Sequence, residues 1–146
     1  MKVMLDEGAK MPTRAHPWDA GLDLYAPVDV TVPNSMMFPF DEIKLGSVTI
    51  DTGVHMEIPE GYVGFIKSKS GLNVNHGLTA EGVIDAHYTG SIRVKLYNHK
   101  HTPYSFKAGD KIAQLVILPC VMPHLELVDS LEETDRGDNG FGSTGR

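Results

Sequence analysis

Five short segments carry residue types at spacings that could do chemistry. Gly82-Val83-Ile84-Asp85-Ala86-His87-Tyr88-Thr89-Gly90 is a Gly-bounded stretch that runs straight into an alternating apolar segment. A carboxylate at such a place can take a proton from water, and the side chains of Asp85, His87 and Tyr88 could line a pocket; an ordinary polar hairpin tip is the alternative. Ala20-Gly21-Leu22-Asp23-Leu24-Tyr25-Ala26 sets one carboxylate in an apolar run. If buried, Asp23 needs a hydrogen-bond donor or a metal-bound water; otherwise it is a surface turn residue. Lys67-Ser68-Lys69-Ser70-Gly71-Leu72 brings together cations, hydroxyls and a glycine whose backbone can approach an anion, although such turns also occur as plain solvated loops.

Gly109-Asp110 is a turn signal before Lys111-Ile112-Ala113-Gln114-Leu115. A buried Gln114 must satisfy both ends of its amide, as a bridge to backbone or as a ligand or water positioner. The last segment, Arg136-Gly137-Asp138-Asn139-Gly140-Phe141-Gly142-Ser143-Thr144-Gly145, could wrap a phosphate, with Phe141 as a lid over a base. It lacks the Gly-Lys-Ser/Thr ending of a Walker loop.

Other chemistries find no support. The seven histidines show no H-E-x-x-H spacing, and one cysteine allows neither a Cys-based zinc site nor an intrachain disulfide. Cys120 reads as a small buried residue at a strand end. No nucleophile elbow occurs. A net charge of −6 argues against nucleic acid as a partner, so a phosphate ligand must be held by local means. The first ten residues lack the apolar core of a signal peptide, and no apolar run approaches a membrane span. The expected location is the cytoplasm, with no membrane partner.

The elements that must position these residues are strands. Fifteen Gly and nine Pro leave Ser91–Thr102 and His124–Arg136 as the longest stretches free of both, so helices have little room. Ile92, Val94 and Leu96 alternate with polar neighbours, as do Val54, Met56 and Ile58; Val48, Ile50 and Thr52 suggest a strand before them, with Gly53 as a bulge or turn. Lys111–Leu118 reads as a strand buried on both faces, and Leu125 and Leu127 as a later short strand. A helical turn is allowed in Asp129–Asp135, and Pro33–Gly46 reads as a surface loop. Short strands with closely spaced turns indicate one all-β domain, a sandwich, jelly roll or barrel. Composition alone marks residues 136–146 as a disordered tail.

Taken together and in order, the five segments resemble the five motifs of the homotrimeric dUTPase family, over about Ala20 to Arg146. The resemblance implies an all-β jelly-roll subunit spanning residues 1–135. Residues 136–146 would form a swapped C-terminal arm that closes a neighbour's active site in a homotrimer. It implies hydrolysis of dUTP to dUMP and pyrophosphate, which keeps uracil out of DNA and supplies dUMP for thymidylate synthesis. Asp85 would be the base, joined by Gln114 and Ser70 in the catalytic set. Tyr88 would pack on the deoxyribose, and Gly82, Val83 and Ile84, with the returning strand near Arg93, would pair with the uracil edge. Lys69, Ser70, Gly71 and Gln114 would hold phosphates, and Phe141 would stack on uracil. Arg136, Gly142, Ser143 and Thr144 would clasp the outer phosphates. Mg2+ would be bound by the triphosphate and reached by Asp23 through water.

Three features depart from the family pattern. Lys69 stands where Arg is usual, keeping the charge without the bidentate fork. His87 stands where an acid is common, and Pro33–Gly46 is longer than in compact members. Two alternatives are a dCTP deaminase-type enzyme of the same superfamily and a dUTPase-like nucleotide-dependent regulatory protein.

Overall fold

Alternation of apolar and polar residues builds this molecule almost entirely from strands. The computed structural model describes residues 1–38 and 42–138. The strands are β1 (Val3–Leu5), β2 (Gly21–Tyr25), β3 (Val30–Val32), β4 (Met36–Phe38), β5 (Glu42–Lys44), β6 (Gly46–Asp51), β7 (Val54–Met56), β8 (Tyr62–Lys67), β9 (Leu78–Ile84), β10 (Arg93–Asn98), β11 (Tyr104–Phe106) and β12 (Lys111–Pro119). The helix is α1 (Ser70–His76). Six strands form one antiparallel sheet in the order β2-β12-β8-β9-β10-β6, with β1-β7, β11-β3 and β4-β5 as smaller pairs. This is the expected all-β, jelly-roll class.

Opposed residues of an antiparallel ladder project to the same face, so register sorts the sheet. Leu22 faces Leu115, Leu115 faces Ile66, and Ile66 faces Gly82. This row lies on the inner face, where Leu24, Ile92, Val94, Leu96, Ile112 and Leu115 are fully enclosed. The next row, shifted by one residue, is Asp23–Gln114–Lys67–Glu81 on the outer face. One residue of slip would exchange core and site.

Several elements differ from what the sequence suggests. Pro33–Gly46 is not a bare loop: β4 and β5 form a hairpin within it, although residues 39–41 lie outside the described residues. The segment read as a Ser/Lys/Gly loop opens α1, which buries no residue and ends on Gly77 in the left-handed region (φ 64°). With no apolar stripe to bury, such a helix leaves no periodic signal. Leu125 and Leu127 belong to no strand and are 86% and 100% exposed. Asp129–Asp135 holds no helical turn; a turn closes later, where the Gly137 N–H donates to the Thr134 carbonyl at 3.0 Å. β12 is buried on both faces only near its start, and Cys120, just beyond it, is half-buried. Gly53 is a left-handed turn (φ 65°) between β6 and β7, as its spacing suggests.

The excursion is tied down at its root. Ser35 is buried; its Oγ donates to the Asn98 carbonyl and accepts the Gly46 N–H at 3.1 Å, while its own N–H donates to the Lys100 carbonyl at 2.9 Å. Ser35→Ala removes the hydroxyl and leaves two buried backbone groups without their partner. The expected cost is about 1–3 kcal/mol of unfolding free energy in urea titration, with an unchanged m-value.

Candidate active site

Asp23 is the buried carboxylate that the sequence puts among apolar residues, and it is paired rather than exposed. Its side chain is 6% exposed and meets two ammonium groups, Lys69 on one oxygen and Lys111 on the other, the latter at 2.6 Å. Burial pushes the Asp23 carboxyl up, but hydrogen bonds and charge from Lys111 and Lys69 outweigh it and hold it below its ordinary value. The same contacts hold the Lys111 ammonium above its ordinary value, with the Asp23 hydrogen bond as the leading cause.

Lys111 reaches this place because of a bulge. Gln114 faces Asp23 and Ala113 faces Leu24, but Lys111 faces Tyr25, so Ile112 is the extra residue. Without the bulge Lys111 would share the core face of Ala113 and Leu115; with it, Lys111 joins Gln114 on the outer face. Sequence spacing places Lys111 at the start of a strand and gives it no site role, because the shift depends on the β2–β12 pairing.

Asp23, Lys69, Lys111 and Gln114 line one open cavity of about 340 Å3, with Gly21 and Asp19 at its edge. The Gln114 Nε2 donates to the Ser68 carbonyl at 3.0 Å, the backbone bridge foreseen for it. Its Oε1 lies against Gly21, where a Cβ would overlap it and displace the Gln114 amide. Ser70 and Gly71 follow Lys69 directly as the first two residues of α1, where helix N–H groups have no intrahelical acceptor. Asp23 itself faces two ammonium groups, and with Asp19 the lining balances two carboxylates against two lysines in an otherwise acidic chain.

Among the described residues, no group of three or more His, Cys, Asp or Glu side chains is gathered to hold a metal ion. Asp23 spends one contact on each oxygen, and each oxygen keeps acceptor capacity. The donor set therefore suits a metal ion reached through water and carried in by a ligand.

The second cluster lies where β9 parts from β10. Their ladder covers only Leu78–Ala80 and Leu96–Asn98. Past Ala80, Gly82–Ile84 stay paired with Ile66–Gly64 of β8, while Arg93–Lys95 stay paired with Asp51–Thr49 of β6. The Ile92 N–H donates to the Val54 carbonyl at 2.8 Å, and the Ile92 carbonyl accepts from Thr52 Oγ1 at 2.7 Å. Asp51 accepts from the Ser91 hydroxyl and from Arg93 Nε at 3.1 Å. Its carboxyl is held below its ordinary value, first by the Ser91 hydroxyl. These ties pull the return leg away and open a slot between two backbone edges. In sequence Thr52 reads as the end of a strand and Gly53 as a bulge or turn, and the hold of Asp51 and Thr52 on the return leg is a long-range contact without a local signal.

Asp85 is exposed at the mouth of this slot, one residue beyond β9. Tyr88 is 44% exposed and its hydroxyl donates to the Ser91 carbonyl at 3.0 Å, across Gly90, where a Cβ would collide with that hydroxyl.

Within one chain the two clusters do not meet. Asp85 lies four residues beyond Glu81, and Glu81 is two strands from Gln114 through Lys67. At strand rise and spacing that is about 16 Å, beyond the reach of one phosphorus. Arg136 lies exposed at the turn near the end of the described residues. Phe141, Gly142, Ser143 and Thr144 lie outside them.

A family model for dUTPase matches residues 7–145. A probable deoxyuridine 5'-triphosphate nucleotidohydrolase of Schizosaccharomyces pombe is 43% identical over 142 residues, covering 97% of this chain and 94% of that protein. The enzyme of the same name from Saccharomyces cerevisiae is 38% identical, covering 99% of this chain and 94% of that one. Among solved structures, Staphylococcus bacteriophage 80alpha dUTPase with dUPNHPP superimposes with a TM-score of 0.85 at 31% identity, covering 99% of this chain and 98% of that chain. A variant dUTPase of phage phi11 of S. aureus, described with a structural Mg(II) ion, superimposes with a TM-score of 0.76 at 30% identity, covering 90% and 98%.

The Asp23 contacts predict a pH-dependent stability. A carboxyl whose pKa is depressed on folding stabilises above its unfolded value of 3.8, and that contribution is lost as pH falls through the folded value. Asp23→Asn leaves two lysines facing each other, so it should lower unfolding free energy at neutral pH by on the order of 1–3 kcal/mol. The gap to the parent protein should narrow in acid, as read by denaturant titrations across pH.

Proposed function

The chain belongs to the dUTPase family, and from that premise we propose that its Asp85 slot and its two-lysine cavity, supplied by different copies of the chain, make one active site. It is a dUTP diphosphatase: dUTP and water give dUMP and pyrophosphate. The observation that carries the site assignment is the parting of β9 from β10 past Ala80, with Asp85 at its mouth. The strand edges of Gly82–Ile84 and of the return leg near Arg93 offer backbone donors and acceptors at strand spacing. Uracil presents an N–H between two carbonyl groups, a pattern such an edge can pair. Thymine adds a methyl group that a narrow slot has no space for. Tyr88, pinned to the Ser91 carbonyl, packs against the deoxyribose and excludes a 2′-hydroxyl.

In the reaction Asp85 accepts a proton from water as the water oxygen bonds to the α-phosphorus. The bond from that phosphorus to the bridging oxygen breaks in line, and pyrophosphate leaves with the electron pair. Lys69 and Lys111 oppose the charge that builds on the leaving group, Gln114 faces the phosphates from β12, and Ser70 and Gly71 present first-turn N–H groups. Asp23 would reach, through water, a magnesium ion carried in on the triphosphate, and that ion would supply further charge neutralisation. Lys69 gives charge without a fork, so phosphate binding here depends on Lys111 as a second cation. Residues 136–146 act as an arm on the body formed by 1–135. Arg136, Gly142, Ser143 and Thr144 clasp outer phosphates, and Phe141 covers the uracil. A homotrimer with threefold closure unites the pieces. The substrate is a soluble nucleotide, which fits work in the cytoplasm; no helix among the described residues is long and apolar enough to cross a membrane.

Incubation with dUTP, dCTP, dTTP or UTP and Mg2+ should release pyrophosphate from dUTP alone. Asp85→Asn should reduce turnover by about a thousandfold while dUTP still binds. Mixing Asp85→Asn chains with Lys69→Ala/Gln114→Ala chains after denaturation and refolding tests the shared site. Random trimers of two inactive variants should recover about a quarter of the parent activity, because some sites then draw an intact base and an intact cavity from different chains. No recovery, with trimers formed, refutes the shared site.

A further inference from the structure

We propose that doubly protonated His55 is a positioning residue for the hairpin tip that carries Asp85 and Tyr88, and that it makes turnover and sugar discrimination depend on pH. The inference rests on the roles given to Asp85 and Tyr88 above. His55 lies on β7 with its side chain 18% exposed. Its Nδ1 meets the Thr89 carbonyl at 2.7 Å and its Nε2 meets Asp6 Oδ2 at 3.2 Å. A carbonyl and a carboxylate oxygen accept, so both contacts are satisfied together only when both ring nitrogens donate, in the charged ring.

The Thr89 contact stands out for what it holds. Within the tip, the Tyr88 N–H reaches the Asp85 carbonyl at 3.3 Å and the Tyr88 hydroxyl reaches Ser91. Among the described residues, His55 makes the hydrogen bond that ties residues 85–90 to another part of the body. The tip needs a tie: His87 sits at φ 66°, a conformation that costs free energy in a residue with a Cβ.

The charged groups around the ring favour its charged form. Asp6 approaches from the turn after β1 and Asp51 from the end of β6; Lys2 and Glu57, paired at 2.9 Å, line the same groove as His55 and Thr89. The Thr89 carbonyl first, then Asp6, raise the His55 pKa above the ordinary histidine value, against the effect of burial. A neutral ring has one N–H for two acceptors, so one contact fails when the proton leaves. With the folded value raised, both contacts hold below it; as pH rises through it the ring keeps a single N–H, can no longer bridge Thr89 to Asp6, and its hold on the tip loosens.

The test uses the full-length protein and measures kcat/KM for dUTP and the dUTP-to-UTP preference from about pH 6 to about pH 9, a range that brackets the ordinary histidine value. The parent should lose both on one alkaline limb. Asp6→Asn should shift that limb to lower pH. His55→Gln keeps an N–H for Thr89 but cannot also donate to Asp6 and does not titrate, so it should abolish the limb and hold activity within about threefold of the high-pH parent. His55→Ala should lower kcat/KM by about tenfold throughout and weaken the preference for dUTP. NMR provides a readout independent of turnover: the Ala86–Thr89 amide shifts should follow the His55 ring titration in the parent and not in His55→Gln. The proposal is overturned if His55→Gln retains the parent limb, or if the ring is neutral where activity is full. If the parent releases no pyrophosphate from dUTP, the functional assignment fails instead, and the amide titration still decides the role of His55.

Discussion

A strand edge can be bonded only once, and past Ala80 the β10-facing edge of β9 is not taken by β10. Everything assigned to base recognition depends on that release. It is not a defect of the hairpin, because the return leg has stronger obligations elsewhere. Arg93–Lys95 are in register with β6, Ile92 is bonded on both backbone groups to Thr52 and Val54, and Ser91 and Arg93 are held by one carboxylate, Asp51. Backbone groups in a cleft seek partners. A slot of two strand edges held apart by other ladders suits a flat ring with donors and acceptors along its rim.

The phosphate end faces a different difficulty, since a chain of net charge −6 must attract a polyanion. Here the answer is local. Asp23 is buried and would be costly alone, yet it fixes two lysines in the cavity lining, so that the cavity with Asp19 carries no net negative charge. The bulge at Ile112 is what makes the count two rather than one. This also accounts for tolerance of lysine at position 69. A guanidinium would supply two donors from one residue, whereas here two ammonium groups arrive from separate elements, the residue before α1 and the start of β12.

Period-two alternation made β7 and β10 legible in sequence, a nearly continuous apolar run did the same for β12, and glycine spacing located the turns around Gly53 and Gly109. The paired state of Asp23 was also legible in outline, because a carboxylate between leucines must find a partner if it is buried. What sequence did not show depends on long-range pairing. Lys111 changes face only because β2 fixes the register of β12. Asp51 and His55 act on a hairpin more than thirty residues away in the chain. Helix α1 has no fully buried residue, packs only Leu72 against the core, and is built from poor helix formers such as Asn73, Val74 and Asn75, so neither propensity nor periodicity signalled it. Leu125 and Leu127 alternate as a strand should, but alternation reports what a segment can bury, not whether its own chain offers the surface.

That last point bears on the proposed assembly. Val121, Met122, Leu125, Leu127 and Leu131 are all at least 63% exposed, on a segment that follows β12 and joins no ladder among the described residues. The outer face of the sheet carries a second row, Val83–Phe65–Val116–Gly21, just beyond the polar row, and Val83 in it is 57% exposed. Apolar exposure on this scale is unfavourable for a lone subunit and is ordinary at an interface. The apolar row also lies between the polar row that holds Gln114 and the strand end that holds Asp85. Copies packed over it would bring the cavity of one chain towards the slot of another. Under the proposed shared site, the roughly 16 Å that separates the two clusters within a subunit is a requirement for assembly, and folding alone would not complete the catalytic centre.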